Sequence, residues 1–394
     1  NRQNKNNSIL PELLEASDKP WLPHLKALAY SELKEAATQG LVPLNDIDKT
    51  HYKITKFEMS PGYGSRPHFN VTNAKNESLR LSTDNYNDAC VHQIMCLIDY
   101  SGLLRHFPHY AERVFPCFDI LDQFPNAERI IQVEWNSKEI SPWIADLKKA
   151  VETNTDIQIL HVDPEHPSKQ LNTSCSWNAN IDNGEYGGGW PKKQEGAYVL
   201  QNSRYLSNHA LQIIQRSVLK HAYKFGPSNS IPICVLFLNR RGTRHWVHHK
   251  EASQLLTSVW QNYLKIKEVD EMLGSLEEQA FLMHNSDIIV SPHGAQLTNL
   301  AFVRPCTALI ELFPQNYYIQ FFQPLVVAAA GISFAGYPYN HDRARETYEG
   351  LQTYEDRSAA RAGPLKTSAE SIVYKFPQII LEVLQCRELW SNNE

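Results

Sequence analysis

Between Arg129 and Leu312 short apolar runs alternate with stretches of helical period. Arg129–Trp135, Asp156–Val162, Ile233–Leu238, Leu264–Val269, Asp287–Ser291 and Ala308–Leu312 read as strands rich in β-branched residues. Trp143–Val151, Glu251–Tyr263, Leu276–His284 and Ala295–Phe302 read as helices, as does a segment whose apolar face is Leu206, Ala210, Ile213, Ile214 and Val218. This alternation predicts βαβ units and parallel sheets, hence an α/β fold class. Upstream, His51–Met59 alternates like a strand, Pro61–Glu77 is rich in turn residues, and residues 22–38 have helical character. Val91, Ile94, Met95 and Ile98 recur at helical spacing, so a helix capped by Asp88 is expected to run to Leu104. Asp163–Gly196 lacks regular pattern and carries Gly187–Gly189 between Tyr186 and Trp190, which suits either a lid or a flexible linker. A last helix is expected from Pro377 to about Trp390. The expected organisation is a stem and N-terminal helix over 1–45, one Rossmann-like domain over 46–200, a second over 201–375, and a C-terminal helix over 376–394 that returns toward the first.

A chain of 394 residues has room for two such units at roughly 100–200 residues each. With 42% hydrophobic and 21% charged residues it can build large cores, which excludes general disorder. A net charge of −5 argues against binding nucleic acid or an anionic membrane through bulk charge. No run approaches the roughly 20 apolar residues of a membrane span. The chain begins at Asn1 rather than Met, so membrane association is expected only through an anchor upstream of it. Seven cysteines are too irregularly spaced for a zinc ribbon and too few for a disulfide-built fold. Sequons begin at Asn6, Asn70, Asn76 and Asn172, and together with the cysteines they point to the lumen of the secretory pathway.

Two windows carry candidate chemistry. The strand ending at Ser291 runs into Pro292-His293-Gly294-Ala295 and then at once into a helix. Ligands of open α/β sheets bind outside the carboxyl ends of strands, and a helix start offers free N–H groups to an anion. Gly294 and Ala295 leave room for a diphosphate, His293 can donate to a phosphate or sugar hydroxyl, and Glu311 on the next strand can accept from ribose hydroxyls. The bland alternative is a tight strand–helix turn with a capping histidine. The second window, Leu238-Asn239-Arg240-Arg241-Gly242-Thr243-Arg244, also follows a buried strand. Arg240 and Arg244 offer planar forks that match phosphate oxygens, against the alternative of a solvated basic loop. His245, His248 and His249 follow without a thiolate or carboxylate in register, so no metal site is expected from them. Neither Gly-x-Ser-x-Gly nor Gly-Lys-Ser/Thr occurs, which leaves a serine hydrolase or a P-loop ATPase unsupported.

The segment from Ser275 to Phe302 resembles the GT61 glycosyltransferases, a family that includes plant β-1,2-xylosyltransferases and the O-GlcNAc transferases of the endoplasmic reticulum. Gln279, His293, Gly294, Ala295, Leu297, Thr298, Asn299, Pro305, Glu311 and Pro314 carry the resemblance, and Arg240 and Arg244 are similar to the family's upstream arginine pair. The fourth residue of the family's His-Gly-Ala-Gly is Gln296 here, and Cys96 stands where a His-x-x-x-Asp element would place its aspartate after His92. The resemblance implies a GT-B fold, two Rossmann-like domains facing a cleft. It also implies an inverting transferase that needs no metal or other cofactor and moves a sugar, xylose or GlcNAc, from a UDP-sugar to a glycan or glycoprotein hydroxyl. The alternative is a catalytically inactive glycan-binding relative. On this resemblance Arg240, Arg244, His293, Gly294, Ala295, Thr298, Asn299 and Glu311 would hold the nucleotide sugar. The base would come from the first domain, with His92 the first candidate and Asp88, Asp99 and Asp84 beside it.

Overall fold

The computed structural model describes residues 31–35, 37–38, 53–56, 69–73, 91–98, 106–135, 140–163, 176–181, 208–314, 317, 322–337 and 354–392. In chain order the strands are β1 (Lys53–Lys56), β2 (Phe69–Asn73), β3 (Gln93–Ile98), β4 (Glu128–Glu134), β5 (Ile157–Val162), β6 (Ser176–Ile181), β7 (Ile233–Leu238), β8 (Leu264–Val269), β9 (Ile288–Pro292), β10 (Ala308–Leu312) and β11 (Ile332–Tyr337). The helices are α1 (Phe107–Leu121), α2 (Pro142–Asn154), α3 (Asn208–Leu219), α4 (His249–Trp260), α5 (Leu276–His284), α6 (Gln323–Ala328), α7 (Tyr354–Ala362) and α8 (Ala369–Ser391), with a 3₁₀ helix over Ala295–Phe302.

The described strands form two sheets. The first has the order β2-β6-β3-β4-β5, parallel except for antiparallel β2. The second has the order β1-β11-β10-β9-β7-β8, parallel except for antiparallel β1. β1 precedes the first sheet in sequence yet closes the far edge of the second. In the second sheet the winding reverses between β7 and β9, so the carboxyl ends of those two strands mark the switch point at which doubly wound folds bind ligands.

The expected helix over Asp88–Leu104 is a strand where it is described. β3 is central in its sheet and all of its residues are buried or half-buried. A parallel strand covered on both faces is a continuous apolar run, and over six residues such a run satisfies helical spacing equally well. His92 therefore precedes a strand, with its carbonyl accepting from Glu128 N at 2.9 Å. Cys96 is bonded to Cys117 on α1. The last helix begins eight residues before Pro377, at a Ser368 cap whose hydroxyl accepts from Ser371 N. Pro377 lies inside it, and the buried face of Val373, Phe376, Ile380, Val383 and Leu384 offsets the lost backbone bond. Two strands emerge from stretches without strand pattern, β2 in Pro61–Glu77 and β6 in Asp163–Gly196. The triple glycine, Asp84, Asp88 and Asp99 lie outside the described residues.

Side-chain alternation splits the second sheet between two cores. Leu236, Leu238, Ile289 and Leu309 face a core shared with the first sheet and with α1, α2, α3 and α5. Val235, Phe237, Val290, Ile310 and Phe334 face the other way, against α4 and α8. Three polar contacts cross the shared layer. Trp143 at the start of α2 donates to Asn299 Oδ1 at 3.0 Å. Leu276 N at the start of α5 donates to Asp146 at 3.2 Å. Gln215 of α3 donates to the carbonyls of Ala301 and Val303, which close the 3₁₀ helix. α2 and the 3₁₀ helix each follow the carboxyl end of a strand, so these ends of the two sheets approach each other. α8 is held to the second sheet by the Cys306–Cys386 disulfide and by the buried Arg387–Asp287 ion pair at 2.6 Å. Among the described residues no helix is long and apolar enough to cross a membrane.

Candidate active site

β10 sets the site's centre. Glu311 alternates with Ile310 and Leu312, so its carboxyl points to the Leu309 side of the sheet, where it is fully buried. β9 runs past Pro292, and His293 N still bonds to Leu312 O at 2.8 Å, which keeps His293 in register beside Glu311. The imidazole Nδ1 and Glu311 Oε1 are 2.6 Å apart, and Glu311 Oε2 has no hydrogen-bond partner among the described residues. Phe313, Tyr317 and Phe322 box in the ring at centroid distances of 5.2, 5.5 and 5.4 Å. Burial drives the Glu311 carboxyl well above its ordinary range, with Arg244 opposing. Burial first, then the charges of Arg244, Arg240 and Arg361, drives His293 well below its own. Both directions favour a neutral carboxylic acid donating to Nδ1 of a neutral imidazole, which leaves the ring hydrogen on Nε2. His293 then presents a donor, suited to an anion.

The arginine loop reaches the same point from β7. Gly242 takes a left-handed φ of 73°, and Arg244 takes 58°, a conformation that costs a non-glycine residue energy and clusters at functional sites. Asn239 braces the loop, accepting from Trp246 N at 2.8 Å and donating to Trp246 O at 3.1 Å, while the Trp246 ring is buried. Arg240 crosses to the β9 side and donates to His293 O at 3.3 Å. Its guanidinium lies over Gly294, where a Cβ would sit 2.5 Å from Nη1. Glycine at 294 is the space that Arg240 occupies. Burial and neighbouring cations pull Arg244 down to about 10, and Arg240 is lowered by burial and then by Arg361. The Nε atoms of Arg240 and Arg244 are buried without hydrogen-bond partners among the described residues.

Of the residues named from sequence, the structure brings Arg240, Arg244, His293, Gly294 and Glu311 together, and Ala295 opens the 3₁₀ helix beside them. Thr298 and Asn299 face into the fold. Thr298 donates to Ala295 O, and Asn299 bonds Trp143, Gln279 and the carbonyl of Gln296. Gln296 ties the ends of β7 and β9 by donating to Leu238 O and Ser291 Oγ. His92 is exposed at the amino end of β3. The three loop histidines part ways: His245 pairs with Gly242 O, His248 with Glu251, and His249 with Trp246 O and Asp270. Among the described residues, no three of His, Cys, Asp and Glu are grouped to hold a metal ion. Sequence reasoning missed Arg361, which no motif near it announces.

Comparison with known proteins gives one family. The model of the glycosyltransferase 61 family matches residues 109–310, which takes in the arginine loop, His293-Gly294-Ala295 and all but the end of β10. No curated protein matches. Among solved structures, a 5,10-methylenetetrahydrofolate dehydrogenase from the silkworm Bombyx mori is 9% identical, over 94% of this chain and 97% of that one, at a TM-score of 0.16. A protein from Leishmania major assigned as an aspartate carbamoyltransferase is 9% identical, over 75% and 83% of the two chains, at 0.14. Neither likeness is close enough to inform the fold. The family match spans just over half of the chain and contains most of the buried site, so the chain belongs to the glycosyltransferase 61 family.

Proposed function

We propose that this chain is an inverting glycosyltransferase that moves a sugar, xylose or GlcNAc, from a UDP-sugar to a hydroxyl of a glycan or glycoprotein without a metal. The observation that carries the reading is the Arg240 guanidinium lying over Gly294, beside a buried His293–Glu311 pair, at the β7/β9 switch point. In a single displacement the acceptor oxygen bonds to the anomeric carbon as the bond from that carbon to the diphosphate breaks. The acceptor proton goes to a base and the electron pair to the diphosphate. Arg240, Arg244, the His293 Nε2 hydrogen and the amides at Gly294–Ala295 would stabilise that charge, as donors fixed before the reaction do in an oxyanion hole.

The proposed architecture is of GT-B type, with the acceptor unit over 46–200 apart from β1, which joins the sheet of the donor unit, the donor unit over 201–375, and the cleft between the carboxyl ends of the two sheets. The approach of α2 to the 3₁₀ helix supports it. The base is assigned to the first unit. His92 stands at the amino end of β3, away from the ligand edge of a parallel sheet, so Asp99, the next residue in sequence after β3, is the better candidate. Lumenal residence is supported by the Cys96–Cys117 and Cys306–Cys386 disulfides, since such bonds persist in oxidising compartments.

The test is thermal stability of the purified chain against UDP and a panel of nucleotide sugars, with and without EDTA, followed by product analysis. Ligand that binds only the folded state raises the melting point by linkage. A shift with UDP and one UDP-sugar that survives EDTA, with an inverted product anomer, is the expected result. Loss of the shift with EDTA overturns the metal-free reading. No shift with any nucleotide in folded protein transfers the assignment to a glycan-binding relative. Asp99→Asn should then lower turnover by about 10²–10⁴-fold with donor binding intact. A comparable loss in His92→Ala instead would return the base to His92.

A further inference from the structure

α7 lies beyond the family-matched segment, and its last turn carries Arg361. The guanidinium sits over the Tyr317 ring, 5.4 Å from its centroid, and that ring meets His293 edge-on at 5.5 Å. The chain that leaves α7 is stitched to the arginine loop. Arg244 N donates to Gly363 O at 2.9 Å, Leu365 N to His245 O at 2.9 Å, and Val247 N to Leu365 O at 3.1 Å. The buried Trp246 indole donates to Thr367 O at 2.7 Å. Arg361 thus stands two residues from the carbonyl that holds Arg244 in its left-handed conformation. Its charge is near enough to lower the proton affinity of Arg240, Arg244 and His293 together. Three cations converge on His293, and Glu311 beside it is pushed toward its neutral form by burial, with Arg244 opposing. Like charges gathered at one point favour an anion among them.

We propose that Arg361 is a third phosphate-binding residue, which completes with Arg240 and Arg244 a three-arginine cradle for a nucleoside diphosphate. This rests on reading the site as the donor pocket. It assigns a role to a helix remote in sequence from both motifs, and it favours a diphosphate donor over a nucleoside monophosphate, whose single phosphate would leave part of the cradle unmatched. A planar guanidinium can bond two phosphate oxygens at once, so lysine should replace it only in part.

The experiment is calorimetric titration of the whole chain with UDP, uridine and inorganic pyrophosphate, in wild type, Arg361→Ala, Arg361→Lys and Arg241→Ala. Arg241 is the control, since it belongs to the same loop but is exposed and pairs with Glu271. Arg361→Ala should weaken UDP and pyrophosphate by about tenfold or more, the loss of one charge-assisted contact, and leave uridine unchanged. Arg361→Lys should recover part of the loss, and Arg241→Ala should match wild type. If the alanine variant does not fold, Arg361→Gln, checked by its melting curve, takes its place. Wild type that binds UDP as tightly as Arg361→Ala overturns the cradle alone. Wild type that binds no nucleotide overturns the donor-pocket reading, and the cradle with it.

Discussion

At Gly294 one missing methyl decides where a charge can go. A Cβ there would meet the tip of a flexible arginine and no backbone atom, so the fold can absorb it while Arg240 is pushed from its place. Gly294→Ala should therefore melt close to wild type yet lose UDP binding about as fully as Arg240→Ala. A variant that melts normally and binds UDP normally would refute the link between the two residues. Glu311 makes a second residue-scale prediction. If the buried pair is neutral, Glu311→Gln keeps a donor to His293 Nδ1 and should hold UDP affinity within about threefold, a difference of less than 1 kcal/mol. Glu311→Ala strands the imidazole nitrogen and should destabilise by about 1–3 kcal/mol. A large loss of affinity in the glutamine variant would show that the pair is ionic. His293, Glu311 and the two loop arginines were legible in sequence because each follows or ends a strongly apolar strand. The bond between His293 and Glu311 was not, since it depends on the parallel register of β9 and β10.

At the scale of elements, the 3₁₀ helix Ala295–Phe302 is the joint between the two sheets. Asn299 accepts from Trp143 and donates to Gln279, so Asn299→Ala would strand a buried indole N–H at the layer both sheets share. The expected cost is about 1–3 kcal/mol of stability, read by denaturant or thermal melting. The companion Trp143→Phe removes the donor along with its need, so it should cost less. Equal losses in the two variants would argue that packing dominates at this joint. Element reading failed where burial was complete or chain context intervened. β3 mimicked a helix because both its faces are covered, and α8 continues through Pro377 because its apolar face is buried. β1 shows the limit of local pattern: its four residues read as a strand, but their place beside β11 is a long-range pairing.

Across the whole molecule, buried histidines make stability depend on acid. His284 accepts from Lys224 N, donates to Phe302 O, and is pulled down to about 4, chiefly by burial. Its folded value lies below the ordinary 6.5, so the unfolded chain binds more protons between those two values. The contribution is complete above about pH 6.5 and is lost as pH falls toward 4, at a cost of about 3 kcal/mol. Melting from pH 7 to pH 4.5 should therefore fall less steeply in His284→Gln than in wild type, and parallel slopes would exclude His284 as the cause. The sequence by itself determined the alternation of strands and helices, since burial of one face or two imposes its period directly on the residues. It also marked the two windows at strand ends where glycine, histidine and arginine gather, while leaving a plain turn or a solvated basic loop open beside an anion site. Tertiary structure decided the rest: which strands lie side by side, that Arg240 passes over Gly294, that Glu311 bonds His293, and that Arg361 arrives from a helix fifty residues beyond Glu311. These are distances between segments far apart in the chain. Only the closing of the sheets and the packing of their covering helices sets them.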